Sequence, residues 1–387
     1  MSAFSALSSV LGGNLGTGNI AGTAIALSTG GPGALFWMWI MAIIGAIIKY
    51  SGCYLAILYR QPVNGNFAGG PMYYLRDGLK APYTASAFAI ITVISAMTVG
   101  NFVQINSVTI PLISHGIDIW LICIVMIPLL AWVIFDSQKR FTRFSSFVVP
   151  LMAIIYLGLC LWVIGLNIEK IPGLFSLIIT SAFSTQSFAG GLFGYGMFDG
   201  LRVGFDRGLF ATDAGIGIAP MLHAEIPDRI NQKETAREQG LVSIFAPFVV
   251  MLICLMTGLV ILITQAWLEP NLESTKICMY AFKTGTGVNI SQYALLLTLF
   301  LFASTTLLTW SYCAERALVF LGLQRYINLF RFVYIFIIPV GMLVKASWIW
   351  AIADISINLM LIINLVAVYL LSKKHLAYDH KLIEPSL

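Results

Sequence analysis

Charge is what this sequence has least of. Only 10% of its 387 residues are Asp, Glu, Lys or Arg, against 59% hydrophobic, and the mean hydropathy is +0.88. Soluble domains carry about a quarter charged residues, so a chain built for water is excluded, and no stretch reads as a separate soluble domain. Histidine is also scarce, at four residues, and no HExxH pair occurs. The six cysteines (Cys53, Cys123, Cys160, Cys254, Cys278, Cys313) show no CxxC spacing and fall mostly in apolar runs. They read as small apolar fillers rather than metal or redox ligands. No catalytic triad, metal cluster or acid pair is present, which argues against an enzyme. The net charge of +5 is no nucleic-acid footprint, because the basic residues lie in loops flanking apolar spans. The Met1 end lacks the basic region and cleavage site of a signal peptide, so the first apolar segment is expected to stay.

Hydrophobic windows fall near 3–28, 34–59, 83–112, 118–136, 145–167, 187–201, 241–266, 291–322, 328–346 and 348–371. A lipid core of about 30 Å needs about 20 residues at roughly 1.5 Å each. The expectation is an all-α integral membrane protein of about ten transmembrane helices, forming one transporter domain over 1–387. Two inverted five-helix repeats, 1–167 and 168–372, would precede a tail at 373–387. An even number of spans puts both termini on one side. Loops assigned to that side hold seventeen of the 22 basic residues, Arg202 and Arg207 among them. By the positive-inside rule both termini are cytoplasmic, and a cell inner membrane is the expected home.

The first span is interrupted where a membrane helix favours leucine. "SVLGGNLGTGNIAGTA" (Ser9–Ala24) contains two small-xxx-small pairs, Gly12/Gly16 and Gly18/Gly22, which suit close helix packing. Gly16, Gly18 and Ala21 imitate a dinucleotide fingerprint, but no strand precedes them and the match is rejected. The sixth span, "SFAGGLFGYGMFDG" (Ser187–Gly200), carries a similar glycine density. Paired interruptions in inverted halves point to a transporter site near mid-membrane. Residues 3–14 would form a half-helix of about 18 Å, reaching that depth. Unwinding there frees backbone groups that lipid cannot satisfy. The half-helix ends add dipoles that favour a carboxylate at N-termini and a cation at C-termini.

Polar residues within spans are expected to face that site. Asn101 and Gln104, with Asn106 beyond, are spaced for one helix face. Ser304, Thr305, Thr306, Thr309 and Trp310 follow one another in the eighth span. Membrane threonines commonly bond their own helix carbonyls, but this cluster favours a site. Its neutral oxygens suit an alkali cation such as Na⁺ better than a proton relay, which would need buried acids or histidines. Asp354 is the main acid inside a span. Lys49 lies about 16 Å from Arg60 along its helix, too deep to snorkel easily, and is expected to meet an interior partner in a structural role.

These motifs together resemble the alanine or glycine:cation symporters, also called the sodium:alanine symporter family, whose fold is that of the leucine transporter. The matching stretches are "GTGNIAG" (16–22), "GGPGALFWMW" (30–39), "GGPMYYL" (69–75), "GNFVQINS" (100–107), "RGLF" (207–210), "APMLHA" (219–224) and "WAIADISINLMLIINLVAVYLLS" (350–372). The resemblance implies a sodium-coupled importer of a small neutral amino acid, alanine or glycine, working by alternating access. By that likeness the carbonyls of Gly12 and Leu15 and the hydroxyls of Thr305 and Thr306 hold Na⁺, with Asn19 at a second sodium position. The substrate carboxylate would lie against Gly16, Thr17 and Gly18. Asn14, Gln104, Thr309 and Trp310 would line the side-chain pocket, completed by Phe188 and freed backbone near Gly190 and Gly191.

The chain departs from the family at several points. Members usually carry a further hydrophobic helix ahead of the GTGN segment. "RGLFATDAG" stands where they often read "RGLFSNEAG", and Gly52, Ala246 and Val249 stand where acids are expected. Thr309 replaces a glycine. Such changes bear on the substrate and on transport itself. The competing readings are a proton-coupled or other-substrate transporter and a ligand sensor that does not transport.

Overall fold

The computed structural model describes residues 3–63, 65–135, 138–184, 197–228 and 231–383. The glycine-rich opening does what its composition predicts. Ala3–Asn14 is one helix, α1, and Thr17–Gly30 another, α2. Between them Leu15 and Gly16 leave the helical path, with Gly16 extended at φ −94°, ψ 177°. Gly31, at φ 70°, makes the left-handed corner that only glycine takes without strain. It leads into α3, Gly33–Leu58. A short antiparallel hairpin follows, β1 (Gln61–Val63) with β2 (Asn66–Ala68), which the all-helical expectation did not include. Next come α4 (Pro71–Tyr73) and a π-helical turn, Tyr74–Gly78.

The third span is continuous but not regular. α5 (Pro82–Ser95) and α6 (Gln104–Ser114) are joined by a π-helical stretch, Ala96–Val103. α7 is Ile119–Ile134, capped by the Asp118 side chain accepting from Trp120 N at 2.7 Å. Then come α8 (Gln138–Leu166) and α9 (Ile171–Phe183). α10 (Met197–Thr212) and α11 (Ile218–His223) flank a second break. α12 (Gln232–Ile263) is capped by Asn231 accepting from Glu234 N at 2.9 Å. The chain ends with α13 (Thr275–Thr286), α14 (Ile290–Phe320), α15 (Ile327–Phe336), α16 (Ile338–Leu343) and α17 (Ala346–Ile383). α17 carries helix well past residue 371, into the segment expected to be tail.

Among the described residues seven helices are long and apolar enough to cross a membrane, and Ile119–Ile134 is a shorter apolar helix. Their outer faces are apolar too. Ile47, Phe147, Ile154, Ile355, Ile362 and Tyr369 are each at least 60% exposed. A belt of that kind belongs in lipid.

A break also occurs at 213–217, beyond the segment where glycine density placed one. The interrupted segment was expected at 187–201. Residues 185–196 lie outside the described residues, and Met197–Gly200 already belong to α10. The chain turns at 213–217, where Asp213 (φ 49°), Gly215 (φ 81°) and Gly217 (φ 102°) are all left-handed. The glycines just before it are packing residues. A Cβ on Gly204 would fall 2.5 Å from the Ala34 carbonyl oxygen, and one on Gly208 would fall 3.0 Å from Met41 Cβ. α10 therefore lies against α3 along a seam of glycines four apart, the small-xxx-small logic of close membrane packing.

α10 also runs antiparallel to α2. Val203 sits against Gly30, the Arg207 side chain against Gly22 and the Phe210 ring against Gly18. α11 correspondingly packs beside α1. Arg202 and Arg207 thus lie on the α2 side of the break, away from the chain start with which the basic-residue census grouped them.

Candidate functional site: two facing helix breaks

A helix that stops inside a protein must find partners for its last four carbonyls. α1 finds all four. Leu15 N donates to Leu11 O at 2.6 Å. Thr306 Oγ1 on α14 donates to Gly12 O at 3.1 Å and lies 3.4 Å from Gly13 O. Asn19 Nδ2 donates to Asn14 O at 2.6 Å. The Asn19 Oδ1 is buried without a hydrogen-bond partner.

The start of α2 needs acceptors, and Gln104 supplies one. Its Oε1 accepts from Thr17 N at 3.0 Å and from Thr17 Oγ1 at 2.8 Å. The Nε2 of Gln104 donates to Val99 O at 3.2 Å. A neutral amide oxygen thus sits where the helix dipole favours an anion. Glycine is required at the junction. A Cβ on Gly16 would fall 2.9 Å from Thr306 Oγ1 and 3.0 Å from Gln104 Oε1.

The π-helical turn explains why Gln104 reaches the break and Asn101 does not. Three residues apart in an α-helix share a face, but one extra residue in the turn rotates the register. Asn101 Nδ2 therefore donates to Tyr334 O at 2.6 Å. Asn106 joins the same side, donating to Val344 O at 3.0 Å. The expectation of a shared Asn101/Gln104 face is corrected accordingly.

On α14 the neighbours divide. Thr305 Oγ1 turns back to Phe302 O at 3.0 Å and Leu301 O at 3.2 Å, the ordinary threonine habit. Its Cβ nevertheless lies 3.5 Å from where a Gly12 Cβ would stand. Thr309 Oγ1 donates to Thr305 O at 3.0 Å, and its methyl fills the space beside Gly13. Trp310 is fully buried, its ring base packed on Gly100. Leu15, Gly16, Thr17 and Gly18 are likewise buried. Phe188, with Gly190 and Gly191, lies outside the described residues.

The second break faces the first. Asn364 Nδ2 on α17 donates to Gly215 O at 2.7 Å, and Tyr74 donates its hydroxyl to Asn364 Oδ1. Asn14, the last residue of α1, stands between Lys49 of α3 and Asp213. Its amide satisfies both when its nitrogen faces Asp213 Oδ2, at 2.9 Å, and its oxygen accepts from Lys49 Nζ. Lys49 is 1% exposed. Its expected interior partner is thus Asn14, one of the residues assigned to the pocket.

Sequence reasoning did not assign Phe210, Asn364 or Tyr74 to the site, and met Asp213 only as a departure within "RGLFATDAG". The one local signal was the run Asp213–Ala214–Gly215–Ile216–Gly217, turn chemistry inside an otherwise apolar neighbourhood. Asp354 pairs with Arg207 Nη2 at 2.6 Å. All six cysteines are buried and unbridged. No group of three or more His, Cys, Asp or Glu residues suited to a metal occurs among the described residues.

Helices long and apolar enough to cross a membrane, with two broken helices meeting side by side, have the architecture of a membrane transporter. A profile of the sodium:alanine symporter family matches residues 1–381, and the chain belongs to that family. It is 39% identical to an uncharacterized transporter of Haemophilus influenzae over 377 residues, 96% of this chain and 82% of that protein. It is 34% identical to the sodium/alanine symporter AgcS of Methanococcus maripaludis, covering 96% and 82%. It is 33% identical to the probable sodium/glutamine symporter GlnT of Bacillus subtilis, covering 96% and 77%. A manganese transporter of Eremococcus coleocola, in its H236A form, shares the fold at a TM-score of 0.63 and 16% identity, covering 95% and 78%.

Proposed function

We propose that this protein is a sodium-coupled symporter that imports a small neutral amino acid, alanine or glycine, by alternating access. In this reading ten crossings form two inverted repeats, 1–167 and 168–372, in a plasma membrane with both termini cytoplasmic. The paired breaks α1/α2 and α10/α11 are the first and sixth crossings. The observation that carries the reading is the pairing of Thr306 Oγ1 with the Gly12 carbonyl beside the α2 N-terminus. Neutral oxygens gathered at a helix C-terminus suit Na⁺, and the exposed N–H groups of the next half-helix suit a carboxylate.

Gly12, Leu15, Thr305 and Thr306 would bind the coupling ion, with Asn19 at a second position. Asn19 Oδ1 is buried and free to accept a cation. The substrate carboxylate would take the place of the Gln104 oxygen against Gly16, Thr17 and Gly18. Asn14, Gln104, Thr309, Trp310 and Phe188 would then shape the side-chain pocket. Support for alanine comes from AgcS, and the glutamine named for GlnT makes substrate size the property to measure.

The test is uptake of labelled alanine, glycine and glutamine into proteoliposomes, under an inward Na⁺ gradient and with K⁺ in its place. Sodium-dependent accumulation of alanine or glycine is the expected result. Accumulation driven by a proton gradient alone would overturn the sodium assignment. Saturable binding without accumulation would mark a sensor on the transporter fold.

A further inference from the structure

Three features converge where the two breaks meet. The C-terminus of α1 ends at Asn14, the C-terminus of α10 ends one residue before Asp213, and Lys49 enters from α3. Two helix C-termini bring partial negative charge to one place, and Asp213 adds a full carboxylate. With the Asn14 amide turned so that both neighbours are satisfied, its oxygen accepts from Lys49 Nζ and its nitrogen donates to Asp213 Oδ2 at 2.9 Å. Asn14, Lys49 and Asp213 are 3%, 1% and 5% exposed. The ammonium is therefore the cation of a buried, electronegative, oxygen-bearing pocket.

We propose that Lys49 is a tethered cation occupying a latent sodium site built from the Asn14 amide oxygen and the Asp213 carboxylate. Carboxylate and carbonyl oxygens are the donors that hard cations take. The neighbouring Cys53 thiol and the His223 ring, whose Nδ1 lies 2.9 Å from Gln239 Oε1, are softer groups. They lie outside the proposed ligand set. With Lys49 in place the site is filled from within the chain and adds no Na⁺ to the coupling. Without the ammonium, a buried carboxylate is left needing a counter-ion, and the site opens to Na⁺ from solution. The inference does not depend on which amino acid is carried.

The experiment counts bound ²²Na⁺ per protein on the purified full chain, for the unaltered protein, K49M, D213N and K49M/D213N. K49M is expected to bind one Na⁺ more than the unaltered chain, and its melting temperature to rise in NaCl over choline chloride. K49M/D213N is expected to lose that extra ion. D213N alone is expected to keep the unaltered count, because Asp213 serves Lys49 rather than a mobile ion. Loss of a Na⁺ in D213N, or an unaltered count in well-folded K49M, would overturn the proposal. If K49M does not fold in any salt, the D213N count decides: an unaltered count supports the tethered-cation role and a lost ion refutes it.

Discussion

Thr306 on α14 donates its hydroxyl to the Gly12 carbonyl at 3.1 Å, while its neighbour Thr305 donates to its own helix at Phe302 O, 3.0 Å away. One hydroxyl spans two elements and the other only completes a turn. Thr306→Val should therefore raise the Na⁺ concentration for half-maximal uptake about tenfold, roughly 1.4 kcal/mol. Thr305→Val should shift it less. Sodium titrations of both variants at saturating amino acid check this, and equal shifts would remove the cross-helix bond from the ion site.

Gln104 places a neutral oxygen at the α2 N-terminus. Gln104→Glu puts a carboxylate there, which should compete with the substrate's own and weaken amino-acid affinity at least about tenfold. Gln104→Leu leaves the Thr17 N–H and hydroxyl unpaired and should cost about 1–3 kcal/mol of stability. Calorimetric binding and melting curves separate the two effects. Undiminished affinity in the Glu variant would move the carboxylate's binding position elsewhere.

Gly204 and Gly158 make a matched pair on two helices. A Cβ at Gly204 collides with the Ala34 carbonyl oxygen at 2.5 Å and Trp37 Cβ at 2.6 Å, whereas one at Gly158 meets nothing within 4 Å. Gly204→Val should destabilise by about 3 kcal/mol through overpacking against backbone. Gly158→Ala should be neutral or stabilise by up to about 1 kcal/mol through helix propensity. Thermal melts in detergent decide, and similar melts would argue against the α3–α10 seam.

Arg207 links α10 to α17. Its Nη2 lies 2.6 Å from both Asp354 Oδ2 and Asp206 Oδ2, and its guanidinium stands 5.0 Å from the Trp350 ring centre. Asp206 keeps the guanidinium partly compensated when Asp354 is lost. Asp354→Asn should then cost only about 1–2 kcal/mol, and Arg207→Met more, because two carboxylates lose their cation. The double variant Arg207→Met/Asp354→Leu should recover part of that loss. Strict additivity in the melting cycle would show that the pair is not coupled.

The first break was legible because glycine, asparagine and threonine are concentrated where a lipid helix favours leucine, and α1 closes at Asn14 as that composition suggests. The break at 213–217 was not read from the sequence because glycine has two uses that look alike there. At Gly204 and Gly208 it admits a neighbouring helix; at Gly215 and Gly217 it turns the chain. Only the neighbour, α3, tells them apart. The Asn101/Gln104 face failed for a local reason. A π-turn adds a residue without any compositional mark, so a helical wheel drawn through 96–103 points the wrong way. Lys49 was visible as an anomaly, but Asn14 is far away in sequence and became its partner only through the fold.

That π-turn also limits how the third crossing can change over time. Removing one residue between Ala96 and Val103 would restore a plain α-helix and swing everything after it by about 100°. Gln104 would turn away from Thr17, and Asn106 would leave the Val344 carbonyl. Insertions and deletions there are thus barred not by the loss of any one side chain but by misalignment of all those that follow. The length of this helix is as much a part of the site as the residues on it.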